Sequence, residues 1–180
     1  MERQVKIQVD AVTLEGILAL PQDAGLGTLL FDLLTAEEDR VYENRFDIDL
    51  LARRLAEATR WLTNRPEGKG ISMGYFGSST GAAAALIAAA EMDTGIKAVV
   101  SRGGRPDLAA AYLEKVRSPT QLIVGERDET VLQLNRQALA RLTAEAELAV
   151  VPGATHLFEE PGTLEKAAEL ARDWFLGHLS

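Results

Sequence analysis

Alternating apolar and polar positions open the chain. Val5, Ile7 and Val9 share one face of an expected first strand, and Val12, Leu14 and later Ile17 and Ala19 alternate in a second. Asp10-Ala11 between them is read as a tight turn, so the start is expected to be a hairpin. Pro21-Gln22-Asp23-Ala24-Gly25 reads as a loop. The run Thr28-Leu29-Leu30-Phe31 has the pattern of a strand buried on both faces. The period then changes. Ile48, Leu51, Leu55, Ala58 and Leu62 form a helical stripe behind Asp47, a good N-cap, which predicts a helix to about Asn64.

From there strands and helices alternate. Ile71–Phe76, Lys97–Ser101, Gln121–Val124 and Glu147–Val151 read as strands. Helices are expected over Thr80–Glu91, from Asp107, over Thr130–Leu142, and from Thr163 to about Leu179. That order predicts an α/β fold: a mostly parallel sheet with helices on both faces, prefaced by an antiparallel hairpin. With 180 residues and no visible repeat or linker, a single domain over 1–180 is expected.

Composition narrows the chemistry. Nineteen Lys and Arg against 27 Asp and Glu leave a net charge of −8, which disfavours nucleic acid as a partner, since phosphate binding needs a positive field. There is no cysteine, so a disulfide framework, a thiolate metal site and a Cys nucleophile are excluded. The first residues carry no apolar signal core, and Gly81–Ala90 is far shorter than the roughly 20 residues of a bilayer span. A cytoplasmic protein with no membrane contact is the expectation. Only two histidines exist, so a histidine-dependent reaction has two candidates.

Gly77-Ser78-Ser79-Thr80-Gly81 joins a strand to a helix, and Gly77-x-Ser79-x-Gly81 is the nucleophile-elbow pattern. Such a turn holds the middle Ser in a strained conformation at the positive end of a helix, where an alkoxide is stabilised. A plain Gly/Ser loop or a phosphate cradle would have similar composition, although no Lys follows the last glycine as a P-loop requires. A serine hydroxyl needs a base, and the base needs an acceptor to fix its tautomer. His156 follows the last strand in Pro152-Gly153-Ala154-Thr155-His156, and Asp128 follows the preceding one in Gly125-Glu126-Arg127-Asp128. All three residues fall at carboxyl ends of expected parallel strands, in the order Ser…Asp…His of this elbow type. The bland alternatives are a surface-loop histidine and an aspartate that caps the next helix. His178, in the last turn of the final helix, suits the helix dipole and reads as structural; Trp61 and Trp174 read as packing residues.

The stretches Gly74–Gly81, Gly125–Asp128 and Pro152–His156 resemble the α/β-hydrolases of the dienelactone-hydrolase-like branch. Phe31-Asp32-Leu33-Leu34-Thr35 and Ser101-Arg102-Gly103-Gly104-Arg105-Pro106-Asp107 are similar to serine-bearing relatives, some fused to phosphoribosyltransferases. The resemblance covers nearly the whole chain. It implies hydrolysis of carboxyl esters or related acyl bonds of a small-molecule substrate, without metal or organic cofactor. Dienelactone hydrolases proper carry Cys where this chain has Ser79. The resemblance makes Ser79, Asp128 and His156 a triad and the Thr80 N–H the first oxyanion donor.

Compared with that family the chain departs at one place. Leu18–Phe31 runs from the second strand almost directly into what the family would call its fourth, so about thirty residues, one βα unit, are missing. The second and fourth strands of the family are antiparallel neighbours, which lets a short loop join them. Thr28–Leu34 is then expected to pair directly with Ile71–Phe76, and the second oxyanion donor to come from Leu33, Leu34 or Thr35, with Leu34 the central candidate. A second reading follows from the same gap: a weakly active scaffold or binding module with an incomplete oxyanion hole, whose exposed sheet edges favour a homodimer. Arg102 is a candidate for binding an anionic substrate, as is Arg105 unless it pairs with Asp107. The acidic run Glu37-Glu38-Asp39 is expected to be solvated.

Overall fold

Residues 2–20, 25–92 and 95–179 are described by the computed structural model, so all of the loop read at Pro21–Gly25 except Gly25 lies outside the described residues. The chain divides into two compact units, Met1–Ile71 and Ser72–Ser180.

The first unit begins with an antiparallel sheet of β1 (Glu2–Val9), β2 (Val12–Ala19) and β3 (Thr28–Phe31), in that order. The turn is as short as expected: Val9 pairs with Val12, and Asp10 takes a left-handed φ of 45°. Asp tolerates that region better than most residues, because its short polar side chain bonds locally. The register sets Ile7 opposite Leu14, and both are buried with Val9 against Ala58 of helix α1 (Ile48–Thr63), flanked by the half-buried Trp61. β2 keeps a single alternation to its end. Leu18 is therefore buried and Ile17 is 44% exposed, the reverse of the face the sequence suggested for its second half. Asp47 caps α1 as expected, its Oδ1 accepting from the Leu50 N–H at 3.0 Å.

β3 pairs antiparallel with β2, Gly16 opposite Phe31, the antiparallel neighbours that the resemblance implies. Its Leu30 is 70% exposed, so it is not a strand buried on both faces. The physical reason lies just beyond it. The chain leaves the strand at Asp32, and side chains rather than a neighbouring strand take up the next backbone groups. Arg54, on α1, donates from Nη1 to the Leu33 carbonyl at 2.9 Å. Glu38 accepts from the Thr35 N–H at 2.9 Å, while Thr35 Oγ1 accepts from the Glu38 N–H at 3.2 Å, a reciprocal capping box.

The acidic run is likewise not simply solvated. Arg54 grips Glu38 through both guanidinium nitrogens, at 2.6 and 2.5 Å, with the arginine side chain only 5% exposed. This bidentate pair, with the Thr35 bonds, holds the Glu38 carboxyl at about 2, well below its usual range. Asp39 is paired with Arg45 at 2.7 Å.

The second unit is built on a parallel sheet of β4 (Gly74–Ser78), β5 (Ala98–Arg102), β6 (Thr120–Gly125) and β7 (Ala146–Val151), neighbours in chain order. Its α-helices are α2 (Thr80–Glu91), after β4, α3 (Glu129–Leu139), after β6, and α4 (Thr163–His178), after β7. Adjacent residues of β6 show that helices cover both faces, since successive side chains on a strand point oppositely. Ile123 packs with Val100, Ala167, Ala171 and Trp174, and hence under α4; Val124 packs with Val131 and Leu132 of α3. α2 is buried from Ala82 to Ala89. Its alanines let it lie close to the strand that feeds it.

The helix expected from Asp107 is instead two short 3-10 turns, Pro106–Ala109 and Leu113–Lys115. Both carboxylate oxygens of Asp107 are held by Arg105, at 2.8 and 2.7 Å, the pairing weighed for that arginine. Ala109, Leu113 and Val116 are nevertheless buried, as a helical spacing would have placed them. No described helix is long and apolar enough to cross a membrane.

Candidate active site

Ser79 stands between β4 and α2 with φ 51° and ψ −121°, a region that L residues rarely adopt. A side chain held there is strained, and the surrounding structure must enforce it. Gly77 shows how. A Cβ on it would lie 2.4 Å from the Gly81 carbonyl oxygen and 2.6 Å from the Ala82 Cα, so only glycine lets the helix begin so close to the strand. Gly81 differs: a Cβ there would meet nothing within 4 Å, so the second motif glycine is not sterically required. Thr80 is the first residue of α2, where an N–H has no intrahelical acceptor and the helix end is positive.

The acid and base come from the loops after β6 and β7. These loops are tied together: the Arg127 N–H donates to the Ala154 carbonyl at 2.9 Å, and the Gly153 N–H to Glu126 Oε2 at 2.8 Å. Gly125 permits the approach, since a Cβ there would fall 2.4 Å from the Ala154 oxygen. Glu160 braces the outer side, accepting from the Thr155 N–H at 3.0 Å; that backbone bond, with help from the Thr155 side chain, holds its carboxyl below the ordinary range.

Within this frame Asp128 occupies the N-cap position of α3 yet makes no cap bond. Its Oδ2 lies 2.6 Å from His156 Nδ1. The aspartate is 13% exposed and the imidazole 42%. A carboxylate only accepts, so Nδ1–H is the donor, and in a neutral imidazole Nε2 is then the acceptor. The capping alternative for Asp128 is thus set aside by its geometry.

The segment after β5 meets both ends of the expected triad. The Ser79 N–H donates to the Arg102 carbonyl at 3.3 Å, and the Arg105 N–H donates to the Ser79 carbonyl at 3.1 Å. Between them Gly103, with φ 52°, lies so near the base that a Cβ would sit 3.6 Å from His156 Nδ1 and Cε1. Arg102 is the register partner of Ser78 and donates from Nη2 to Ser78 Oγ at 2.9 Å. Its guanidinium stacks 5.3 Å from the ring of Phe158, a buried residue with a left-handed φ of 57°. No carboxylate pairs with Arg102 among the described residues, and burial pulls its pKa down. Arg105, by contrast, is consumed by Asp107.

The other expected positions sort as follows. His178 Nδ1 lies 2.8 Å from the Trp174 carbonyl one turn back and its ring stacks on Trp174, the structural place the sequence suggested. The Thr35 N–H is already spent on Glu38, so Thr35 is removed from the oxyanion-donor candidates; the Leu34 N–H makes no hydrogen bond among the described residues. No cluster of three or more His, Asp or Glu side chains able to hold a metal ion occurs among the described residues. Gly103 and Phe158 escaped the motif reading, because their roles depend on which loops meet.

Comparison with known proteins supplies the family. A crystal structure of a dienelactone hydrolase from Anabaena variabilis matches all of this chain and 99% of its own, at 43% identity and a TM-score of 0.95. An alpha-beta serine hydrolase homologue from Coxiella burnetii, at 17% identity, shares the fold over 95% of this chain with a TM-score of 0.77. Proteins from two strains of Mycobacterium tuberculosis, described as phosphoribosyl transferases, are 60% identical over 156 residues, 87% of this chain. The chain spans 35% of the length of those curated relatives. The family model for dienelactone hydrolases matches residues 28–177, and on that extent the chain belongs to the dienelactone hydrolase family.

Proposed function

We propose that this hydrolase-fold protein is a serine-dependent acyl hydrolase acting on carboxyl esters or related acyl bonds of small substrates. The observation that carries the reading is Asp128, which stands at a helix N-cap and spends its carboxylate on His156 instead. Ser79 Oγ attacks the acyl carbon while His156 Nε2 takes its proton, forming a tetrahedral intermediate. The Thr80 N–H stabilises the oxyanion. Collapse breaks the bond to the leaving oxygen, which receives the proton from His156 and leaves an acyl-Ser79. Water, deprotonated by the same imidazole, then frees the acid. Arg102, lacking a carboxylate of its own, binds an anionic group on the substrate.

A panel of nitrophenyl esters, thioesters and lactones tests the reading. Ser79→Ala should abolish turnover of every substrate that the wild type hydrolyses; undiminished rates in the variant would refute it. Arg102→Gln should raise KM for an ester with a terminal carboxylate while leaving nitrophenyl acetate unchanged, and equal effects on both would remove Arg102 from substrate binding. The scaffold reading draws support from the loss of the Thr35 N–H as a donor. No turnover of any member of the panel by the wild type would move it ahead.

A further inference from the structure

Helix α3 carries its apolar stripe at Val131, Leu132 and Ala138, all buried, and Asn135 falls on that same stripe. Asn135 is fully buried. Its Nδ2 donates to the Gly104 carbonyl at 3.0 Å and to the Val131 carbonyl at 2.8 Å, while its Oδ1 has no hydrogen-bond partner among the described residues. An aliphatic residue would fill this position without leaving a polar atom unsatisfied, which costs stability. The amide is therefore present for its donor, and the group it serves outside its own helix is the Gly104 carbonyl.

Gly104 belongs to the segment that touches both Ser79 and His156. Arg102 accepts from the Ser79 N–H, Arg105 donates to the Ser79 carbonyl, and Gly103 lies against the imidazole. The segment has little freedom. The Gly103 N–H is fixed to the Ile123 carbonyl at 2.8 Å, and a Cβ on Gly104 would fall 2.0 Å from Ser101 Oγ and 2.7 Å from the Ala82 Cβ. Glycines that admit close packing also leave a flexible backbone, which needs an external anchor. Asn135 supplies it from α3, the helix whose N-cap position Asp128 occupies.

We propose that Asn135 is a positioning residue: by anchoring Gly104 it holds the Arg102–Arg105 clasp that sets Ser79 against His156. α3 and its N-cap then act on both other members of the triad, Asp128 on His156 directly and Asn135 on Ser79 and His156 by way of the clasp. The proposal rests on the serine-hydrolase reading above. It makes a specific demand: loosening the clasp should slow the acyl-transfer step and leave substrate binding alone, because misplacement by about 1 Å costs on the order of 100-fold in rate.

The test is Asn135→Leu, which keeps the volume, removes the donor and removes the unsatisfied oxygen. Its melting temperature should equal or exceed that of the wild type. With nitrophenyl acetate its kcat should fall about 10–100-fold while KM stays within about twofold, and the rate of Ser79 capture by a fluorophosphonate should fall in parallel. If the leucine variant does not fold, Asn135→Ala is measured in the same way, since it presents no donor to Gly104 and buries no charge. A folded variant with wild-type kcat and capture rate would overturn the proposal, as would a change confined to KM. Failure of the wild type itself to be captured at Ser79 would instead defeat the serine-hydrolase reading.

Discussion

Replacing Glu38 by Gln removes the charge that the Arg54 guanidinium faces and keeps the shape. The cost can be worked from the pair itself. Folding lowers the Glu38 carboxyl from 4.5 to about 2. At about 1.4 kcal/mol per unit, that shift corresponds to at most about 3.4 kcal/mol of stability near neutral pH. The glutamate side chain is 27% exposed, so solvent screening reduces the figure to about 2 kcal/mol. Arg54 is only 5% exposed, and losing its partner strands a buried charge, which adds to the loss. An overall destabilisation of about 2–4 kcal/mol is expected at pH 7.

The sign of the pH dependence follows from the direction of the shift. A lowered carboxyl contributes its full stabilisation above about 4.5 and loses it as the pH falls toward about 2. Urea denaturation of wild type and Glu38→Gln at pH 7, 5, 3 and 2 measures the difference. The gap should be constant from pH 7 to 5, shrink by pH 3 and be smallest at pH 2. A gap under about 0.5 kcal/mol at pH 7, or one that persists undiminished at pH 2, would refute the pairing energy assigned here.

Four other substitutions separate roles that the geometry distinguishes. Asp128→Asn leaves the loop in place and removes the acceptor that fixes the His156 tautomer, so kcat should drop by about 10⁴ in ester assays without loss of the folded state. Gly77→Ala should prevent the elbow from forming and cost more than about 3 kcal/mol in denaturant titrations, because its Cβ meets backbone at 2.4 Å. Gly81→Ala, though it alters the same motif, should stabilise the helix by about 0.5–1 kcal/mol, since its Cβ meets nothing. His178→Gln should leave the pH–rate profile unchanged, because His178 bonds the Trp174 carbonyl, and a shifted profile would return it to the list of bases.

Much of this architecture was legible because local signals and tertiary demands agree. The alanine-rich run after Ser79 could only be a buried helix, and α2 spans Thr80–Glu91 as expected. The order Ser79, Asp128, His156 placed three residues at strand ends before any distance was known, and the His156–Asp128 contact at 2.6 Å accords with it. What escaped was set by side chains acting over distance. Arg54 lies on a helix whose stripe reads as ordinary, and nothing local says that it reaches Leu33 and Glu38. Those bonds hold the chain just beyond β3, and the Thr35 N–H bond to Glu38 removes it from the oxyanion-donor candidates. The pairing of Arg105 with Asp107, two residues apart, was by contrast within reach of the sequence. Asn135 did leave a trace: an amide on an otherwise apolar helical stripe, whose partner only the fold could reveal.

The central claim is that Ser79 is the nucleophile, and covalent capture tests it most directly. Native protein treated with a fluorophosphonate and digested for mass spectrometry should carry one adduct, on Ser79, absent from Ser79→Ala and formed far more slowly in Asp128→Asn. No adduct on the native protein, or an adduct on Ser78 with Ser79 unmodified, would contradict the account.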